Sequence, residues 1–185
     1  DRNHYLWTQG ETQDNRYWIP TYDHPDDKTT WEISVLTDSG ESALSNGKLV
    51  SKRSVKGGTL WSWAQTKPAS TYLMSVVTGK YTVVTDHWGK VPVEYWTYPD
   101  SVAAARLGFG KTPDAIDVFS RKTGIPYPWA KYAQSVVPDF IFGGMENVSA
   151  TTQNDDGILH PAWAEPQYNA DGLMSHELGH QWFGD

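Results

Sequence analysis

Apolar and polar residues alternate along much of the first hundred positions. Trp31-Glu32-Ile33-Ser34-Val35 and Val91-Pro92-Val93-Glu94-Tyr95 each carry an apolar side chain at every second position, which is the period of a half-buried strand. Trp61 and Trp63 share one strand face by the same rule. Pro92 favours an edge strand, because proline has no N–H to donate to a sheet ladder. The pattern predicts a mainly β first half.

Turn signals divide this half into strands. Ser45-Asn46-Gly47-Lys48 has the composition of a turn between strands. Tyr72, Met74 and Val76 are spaced to lie on one face of a later strand, and Gly79-Lys80 ends that run.

The pattern changes near residue 98. Ser101 to Leu107 is rich in alanine and favours a helix. Thr112-Pro113-Asp114 is typical of a helix N-terminus, and Thr123-Gly124 of a helix C-terminus. Ser135 to Phe142 predicts a strand, in which Pro138 again favours an edge position.

A turn-rich stretch from Asn154 to Pro166 leads to a last predicted helix. This helix begins at Asn169 or Asp171 and carries the residues Leu173, His176, Glu177, His180 and Phe183. We therefore predict a mixed fold in two domains. Residues 1–97 form a mainly β N-terminal domain, and residues 98–185 form the start of an α/β domain.

Composition limits the class of protein. The chain has 185 residues, 38% hydrophobic and 20% charged, which indicates a globular protein. The formal net charge of −7 argues against a nucleic-acid partner. The absence of cysteine excludes disulfides and cysteine–zinc sites. No apolar run reaches the roughly 20 residues of a membrane span.

His176-Glu177-Leu178-Gly179-His180 has the pattern H-E-x-x-H. On a helix, positions i and i+4 lie on one face, so both imidazoles can bind one metal ion while Glu177 takes a proton from a water molecule. So short a motif also occurs by chance. Phe183 stands where the metzincin extension has glycine. A third ligand must come from elsewhere, most simply from beyond Asp185.

Gly143-Gly144-Met145-Glu146-Asn147 is a second candidate motif. Two glycines allow another backbone to approach closely, and an edge strand can pair with an extended peptide. A carboxylate at the end of that strand can pair with a free α-amino group. The alternative is a Gly-Gly turn beside a solvated glutamate, which these five residues favour when taken alone.

The two motifs in this order resemble the M1 family of zinc aminopeptidases (gluzincins), in which G-x-M-E-N precedes H-E-x-x-H. The resemblance extends over nearly the whole chain. It includes the segments Thr8–Glu11, Arg16–Lys28, Ser45–Gly47, Tyr72–Val76 and Gln181–Asp185.

The resemblance implies one Zn²⁺ ion per active site. His176 and His180 would bind this zinc, and Glu177 would act as the general base. The third ligand of the family, a glutamate on a later helix, is not among these residues, nor is the tyrosine that stabilises the oxyanion. We therefore expect the chain to be part of a longer enzyme and to be inactive alone.

The resemblance also implies how a peptide with a free N-terminus binds. Glu146 would bind the substrate amine, and Glu11 would add a second contact. Gly143 and Gly144 would contact the peptide backbone, and Met145 would help to shape the first side-chain pocket.

The implied architecture is the end of a β-domain with a sandwich or saddle shape, followed by the start of a thermolysin-like catalytic domain. The segments Gln9-Gly10-Glu11 and Tyr22-Asp23-His24-Pro25 are most similar to those of bacterial, exported members, so we expect a periplasmic or extracellular enzyme. Substrate preference and oligomeric state stay open.

Two rival interpretations of the function also stay open. One is a thermolysin-type zinc endopeptidase, and the other is an inactive module that binds peptides or carbohydrates, for example through Trp61 and Trp63.

Overall fold

The computed structural model describes residues 4–164 and 167–185, so the end of the predicted turn-rich stretch, at Pro166, lies outside the described residues. The described chain is mostly β. Its strands are β1 (Leu6–Trp7), β2 (Lys28–Thr37), β3 (Ser42–Ser45), β4 (Lys48–Val55), β5 (Gly58–Ser70), β6 (Val76–Gly79), β7 (Thr82–Trp88), β8 (Val91–Thr97), β9 (Tyr132–Val137), β10 (Gly144–Met145) and β11 (Ala150–Asn154). Its helices are α1 (Val102–Phe109), α2 (Thr112–Thr123), α3 (Asp155–Ile158) and α4 (Asp171–Gly179).

The strands form three sheets. Two are antiparallel and three-stranded, with the orders β1-β6-β3 and β2-β5-β4. The third has the order β10-β11-β9-β8-β7 and contains the parallel pairs β8–β9 and β9–β11. A mainly β first part followed by an α/β part confirms the predicted fold class.

The sheet β2-β5-β4 follows the alternation seen in the sequence. Exposed and half-buried side chains alternate along β2, as in a sheet with one face toward solvent. Trp61 and Trp63 of β5 are buried, and their indole N–H groups donate to the Thr37 hydroxyl and the Ala43 carbonyl. The two tryptophans therefore belong to the core and offer no surface platform for a carbohydrate.

The five-stranded sheet separates two hydrophobic cores. Ala133 and Val137 of β9 face the core shared with Trp61 and Trp63, while the alternate residues of β9 face the core beneath the helices. Helix α1 packs over β8 and helix α2 over β7. All six residues of β9 are buried, as expected for a parallel strand covered on both faces.

Two predicted edge strands lie inside the sheet. Strand β9 pairs with both β8 and β11, and Pro138 follows its last residue, where no ladder bond is lost. Strand β8 pairs with β7 along its length, but its pairing with β9 begins at Val93, one residue after Pro92. The two edge strands are β7 and β10, and β10 contains Gly144 and Met145 of the second motif.

The Ser45-Asn46-Gly47 turn is buried at the meeting point of the sheets. It connects β3 and β4, which belong to different sheets, and Asn46 is fully buried. Gly47 has φ +73°, and a Cβ there would lie 2.0 Å from the Ala64 carbonyl oxygen, so only glycine fits. The turn prediction holds, but the turn is part of the core.

The predicted strand face of Tyr72, Met74 and Val76 is wrong. Thr71–Leu73 forms a 3₁₀ helix, and β6 begins only at Val76. The carbonyl of Leu73 accepts a hydrogen bond from the Asn46 side chain at 2.9 Å. This hydrogen bond joins residues far apart in the sequence. It stabilises a turn at Leu73, although the spacing of Tyr72, Met74 and Val76 indicates a strand.

The helices agree better with their sequence signals. Helix α2 ends at Thr123, and Gly124 takes the left-handed conformation, with φ +71°. The Asn169 side chain accepts the N–H of Asp171 at the start of α4. Helix α4 ends at Gly179 rather than beyond His180, because the N–H groups of Gln181 and Trp182 bond to carbonyls three residues earlier and tighten the turn.

The five-stranded sheet crosses the predicted domain division at residue 97, since β8 pairs with β9 of the second half and β7 pairs with β8. The division itself stays a prediction. Within residues 4–164 and 167–185, no helix combines the length and apolar character that crossing a membrane requires.

Candidate active site

Helix α4 and the turn after it bring His176 and His180 together. Their Nε2 atoms lie 3.3 Å apart, and the backbone of His180 keeps helical angles, with φ −59° and ψ −25°. The Nδ1 atom of His180 lies 3.1 Å from the Phe183 carbonyl oxygen. An Nδ1–H donated to this carbonyl leaves the Nε2 lone pair free to bind a metal.

The histidine pair fits two ligands of one zinc ion. Zinc–nitrogen bonds of about 2.0–2.1 Å in tetrahedral geometry separate two ligand atoms by roughly 3.3 Å. Among the described residues, no group of three or more His, Cys, Asp or Glu side chains could hold a metal ion. A third ligand downstream stays a prediction. We call His176, Glu177 and His180 the metal end of the site.

Glu177 lies between the histidines in sequence and is only 3% exposed. Its Oε2 atom is buried without a hydrogen-bond partner among the described residues. Burial, followed by the charges of Glu146 and Glu11, raises the pKa of the Glu177 carboxyl to about 8. An unpaired buried carboxylate is costly, so a bound cation would stabilise this arrangement.

The two glycines of the second motif serve different purposes. A Cβ on Gly144 would lie 2.2 Å from Oε1 of Glu177, so the strand β10 can lie against the glutamate only if this residue is glycine. Gly143 has open space around its Cα, but its φ of +80° is one that other residues rarely adopt. Strand β10 therefore lies directly against the metal end.

A cavity of about 200 Å³ lies beside Glu146. Its lining consists of Glu11, Thr12, Pro25, Tyr72 and Glu146. The Tyr72 hydroxyl donates to Oε1 of Glu146 at 3.3 Å. Burial and then the charge of Glu146 raise the pKa of Tyr72, so this hydroxyl stays a donor at neutral pH.

We call Glu11, Tyr72 and Glu146 the amine end of the site, because two carboxylates at one cavity favour a cationic group. Glu11 is exposed, whereas the carbonyl and carboxylate of Glu146 both accept hydrogen bonds. The structure thus brings the two predicted amine contacts to one cavity. Met145 is fully buried in the core, and its role in a side-chain pocket stays a prediction.

Sequence reasoning assigned no functional role to Tyr72 or Gln181. The Gln181 side chain joins the turn after α4 to the carbonyl of Glu146 at 3.2 Å. It also donates to Oδ2 of Asp185 at 2.7 Å. Burial, followed by the charges of Glu146 and Glu177, raises the pKa of Asp185 to about 9. The position of Gln181 directly after His180 was the available signal for a role, whereas Tyr72 carried none.

Comparison with known proteins identifies related peptidases. Residues 1–73 match the Peptidase M1 N-terminal domain, and residues 107–185 match the Peptidase family M1 domain. The chain is 30% identical over 192 residues to Aminopeptidase N of Streptomyces lividans, covering 100% of this chain and 22% of that protein. It is 29% identical over 181 residues to Leucyl aminopeptidase of Saccharolobus solfataricus, covering 96% of this chain and 23% of that protein.

The chain is also 29% identical over 191 residues to Aminopeptidase Ey of Gallus gallus, covering 96% of this chain and 19% of that protein. It thus spans less than a quarter of the length of these relatives. Their sources are diverse, so a bacterial origin and an exported location stay predictions. The N-terminal and catalytic domain models of one family match consecutive parts of the chain, and relatives named aminopeptidases align along nearly all of its sequence. The chain therefore belongs to the M1 family of peptidases.

Proposed function

We propose that this chain supplies the metal-binding and amine-binding parts of a zinc-dependent aminopeptidase that removes single N-terminal residues from peptides. The observation that carries the proposal is the closeness of two carboxylates with different surroundings. Glu177 is buried beside the histidine pair, and Glu146 lines an open acidic cavity. Gly144, two residues before Glu146, lies against the Glu177 carboxylate, and the charge of Glu146 raises the pKa of Glu177, so the two groups lie at one site.

The peptide N-terminus would bind at the amine end. Strand β10 lies at the edge of its sheet, and an extended peptide can add to such an edge. Gly143 and Gly144 would let the peptide backbone approach, while Glu146 and Glu11 pair with the ammonium group. A blocked N-terminus would leave these carboxylates without a cationic partner, which disfavours its binding.

Peptide-bond cleavage would take place at the metal end. His176 and His180 would hold the zinc, which when bound lowers the pKa of a water molecule and polarises a carbonyl group. Glu177 would accept the proton from the attacking water and return it to the leaving amine. The buried position of its carboxylate makes it a stronger base than an exposed glutamate.

The rival interpretations account for less of this geometry. A thermolysin-type endopeptidase would use the metal end but would have no need of two carboxylates at the neighbouring cavity. The carbohydrate platform expected from Trp61 and Trp63 does not form at the surface, because both side chains are buried.

The proposal is tested on the natural full-length protein with bound zinc. One peptide is prepared with a free and with an acetylated N-terminus, and hydrolysis of each is measured with and without a zinc chelator. We expect cleavage of the free peptide alone, and we expect the chelator to abolish it. Cleavage of both forms would indicate an endopeptidase. Cleavage of neither form would indicate a protein that only binds, and either result would overturn the proposal.

A further inference from the structure

Gln181 connects the two ends of the site. It follows His180 in the sequence, is 1% exposed, and its main-chain carbonyl accepts the indole N–H of Trp129 at 3.1 Å. A buried glutamine requires partners for both its amide nitrogen and its amide oxygen.

The side-chain amide of Gln181 has four partners. Its nitrogen donates to the Glu146 carbonyl at 3.2 Å and to Oδ2 of Asp185 at 2.7 Å. Its oxygen accepts the backbone N–H of Ser149 at 2.8 Å and the hydroxyl of Tyr127 at 3.3 Å. The amide therefore holds both ends of the segment from Glu146 to Ser149.

This segment is also held from the opposite side. The Asn46 side chain donates to the Val148 carbonyl at 2.8 Å, and the Gly47 N–H donates to the Ser149 hydroxyl at 2.6 Å. Ser149 has φ +61°, a conformation that a residue other than glycine keeps only when its surroundings enforce it. The segment is thus shaped by contacts from both parts of the fold.

We propose that Gln181 is a positioning residue that sets the place of Glu146 relative to the metal end and so gives the enzyme its preference for a free amine. This inference rests on the proposed aminopeptidase function. A methionine of similar length would make none of the four hydrogen bonds. An asparagine would keep the amide but would be one methylene too short to reach all partners.

The test uses the full-length, zinc-loaded enzyme and two substrates that differ in one group. The first is an amino-acid anilide with a free α-amine, and the second has hydrogen in place of that amine. The measured quantity is kcat/KM for the free-amine substrate divided by kcat/KM for the substrate without the amine. We expect Gln181→Met to lower this ratio about tenfold, the effect of losing about 1.4 kcal/mol of selective binding.

Gln134→Met is the matched control. Gln134 is also fully buried, but its side-chain amide donates to the Thr112 hydroxyl at 2.8 Å and accepts from the Gln153 amide at 2.9 Å, and neither partner belongs to the metal end or the amine end. We expect this control to keep the ratio within about twofold of the wild-type value. Partial loss of folded enzyme lowers both kcat/KM values equally and leaves the ratio unchanged. The ratio therefore separates positioning from stability.

Gln181→Asn provides a second variant, for which we expect a smaller decrease in the ratio and normal zinc content. A wild-type ratio close to one would refute the proposed function itself. A high wild-type ratio that Gln181→Met and Gln181→Asn both preserve would refute the positioning role alone.

Discussion

The metal end and the amine end are built in different ways. The metal end comes from five consecutive residues, since His176, Glu177 and His180 lie within one helix and the turn that closes it. The amine end is assembled from distant parts of the chain. Tyr72 and Glu146, which share a hydrogen bond, are 74 residues apart, and Glu11 precedes both.

This difference predicts two kinds of mutational effect. Under the proposed function, a change at the metal end would alter the groups that perform the reaction, so it should lower turnover of every substrate. A change at the amine end would alter a contact to one substrate group, so it should act mainly on substrates that carry a free amine. Variants of the natural full-length protein can separate these two effects.

The largest effect is expected for Glu177→Gln. The amide cannot accept a proton from water, so kcat should fall about a thousandfold while zinc content stays at the wild-type level. Steady-state kinetics and metal analysis of the same preparation measure both quantities. A variant that keeps a tenth of the wild-type kcat would exclude Glu177 as the general base.

A smaller decrease is expected for Gly144→Ala, which joins the two ends sterically. The new Cβ would overlap Oε1 of Glu177 and displace its carboxylate, which should lower kcat on the order of a hundredfold. Gly172→Ala is the control, because Gly172 lies in helix α4 with Glu177 and a Cβ there would have no neighbour within 4 Å. Equal activity of the two variants would show that the contact between β10 and Glu177 is unimportant.

At the amine end, Glu146→Gln should lower kcat/KM for a free-amine substrate about 30-fold, as expected for the loss of one charged hydrogen bond. Glu11→Gln should cost only about fivefold, because Glu11 is exposed and water screens its charge. Neither substitution should change zinc content. An equal decrease in kcat/KM for the amine-free substrate would contradict a selective role of the amine end.

The smallest effect on turnover is expected for Lys131, which lies behind the amine end. Its ammonium donates to the carbonyls of Ser45 at 2.9 Å and Ser149 at 3.2 Å. Burial lowers the pKa of Lys131 from 10.5 to about 7, and the charge of Glu94 opposes this shift. We therefore expect Lys131 to affect the pH dependence of folding stability more than the reaction.

The sign of its pH effect follows from proton binding. Between pH 7 and 10.5 the unfolded chain binds more protons at Lys131 than the folded chain does. The free energy of unfolding contributed by this group therefore rises with pH, by up to about 1.4 kcal/mol per pH unit. Denaturant unfolding at pH 7, 8 and 9 should give a shallower rise for Lys131→Met. Identical slopes would show that Lys131 keeps its ordinary pKa.

Elements with local signals were predicted well from the sequence. Strand β2 follows its alternation, and helix α2 ends at the predicted glycine. Edge strands were predicted less well, because Pro92 precedes the paired part of β8 and Pro138 follows the last residue of β9, and strand order depends on partners far away in the chain. Tyr72 has the spacing of a strand residue but lies in a 3₁₀ helix.

The sequence alone determined the metal end, because hydrogen bonds between near neighbours fix the period of a helix, and that period puts His176 and His180 on one face. The family resemblance named Glu146 and Glu11 separately, but only the tertiary structure decided that they share one cavity with Tyr72. The approach of Gly144 to Glu177, the cavity shared by Glu11 and Glu146, and the bonds of Gln181 join segments whose contacts depend on how the sheets and helices pack. Local periodicity carries no information about such packing.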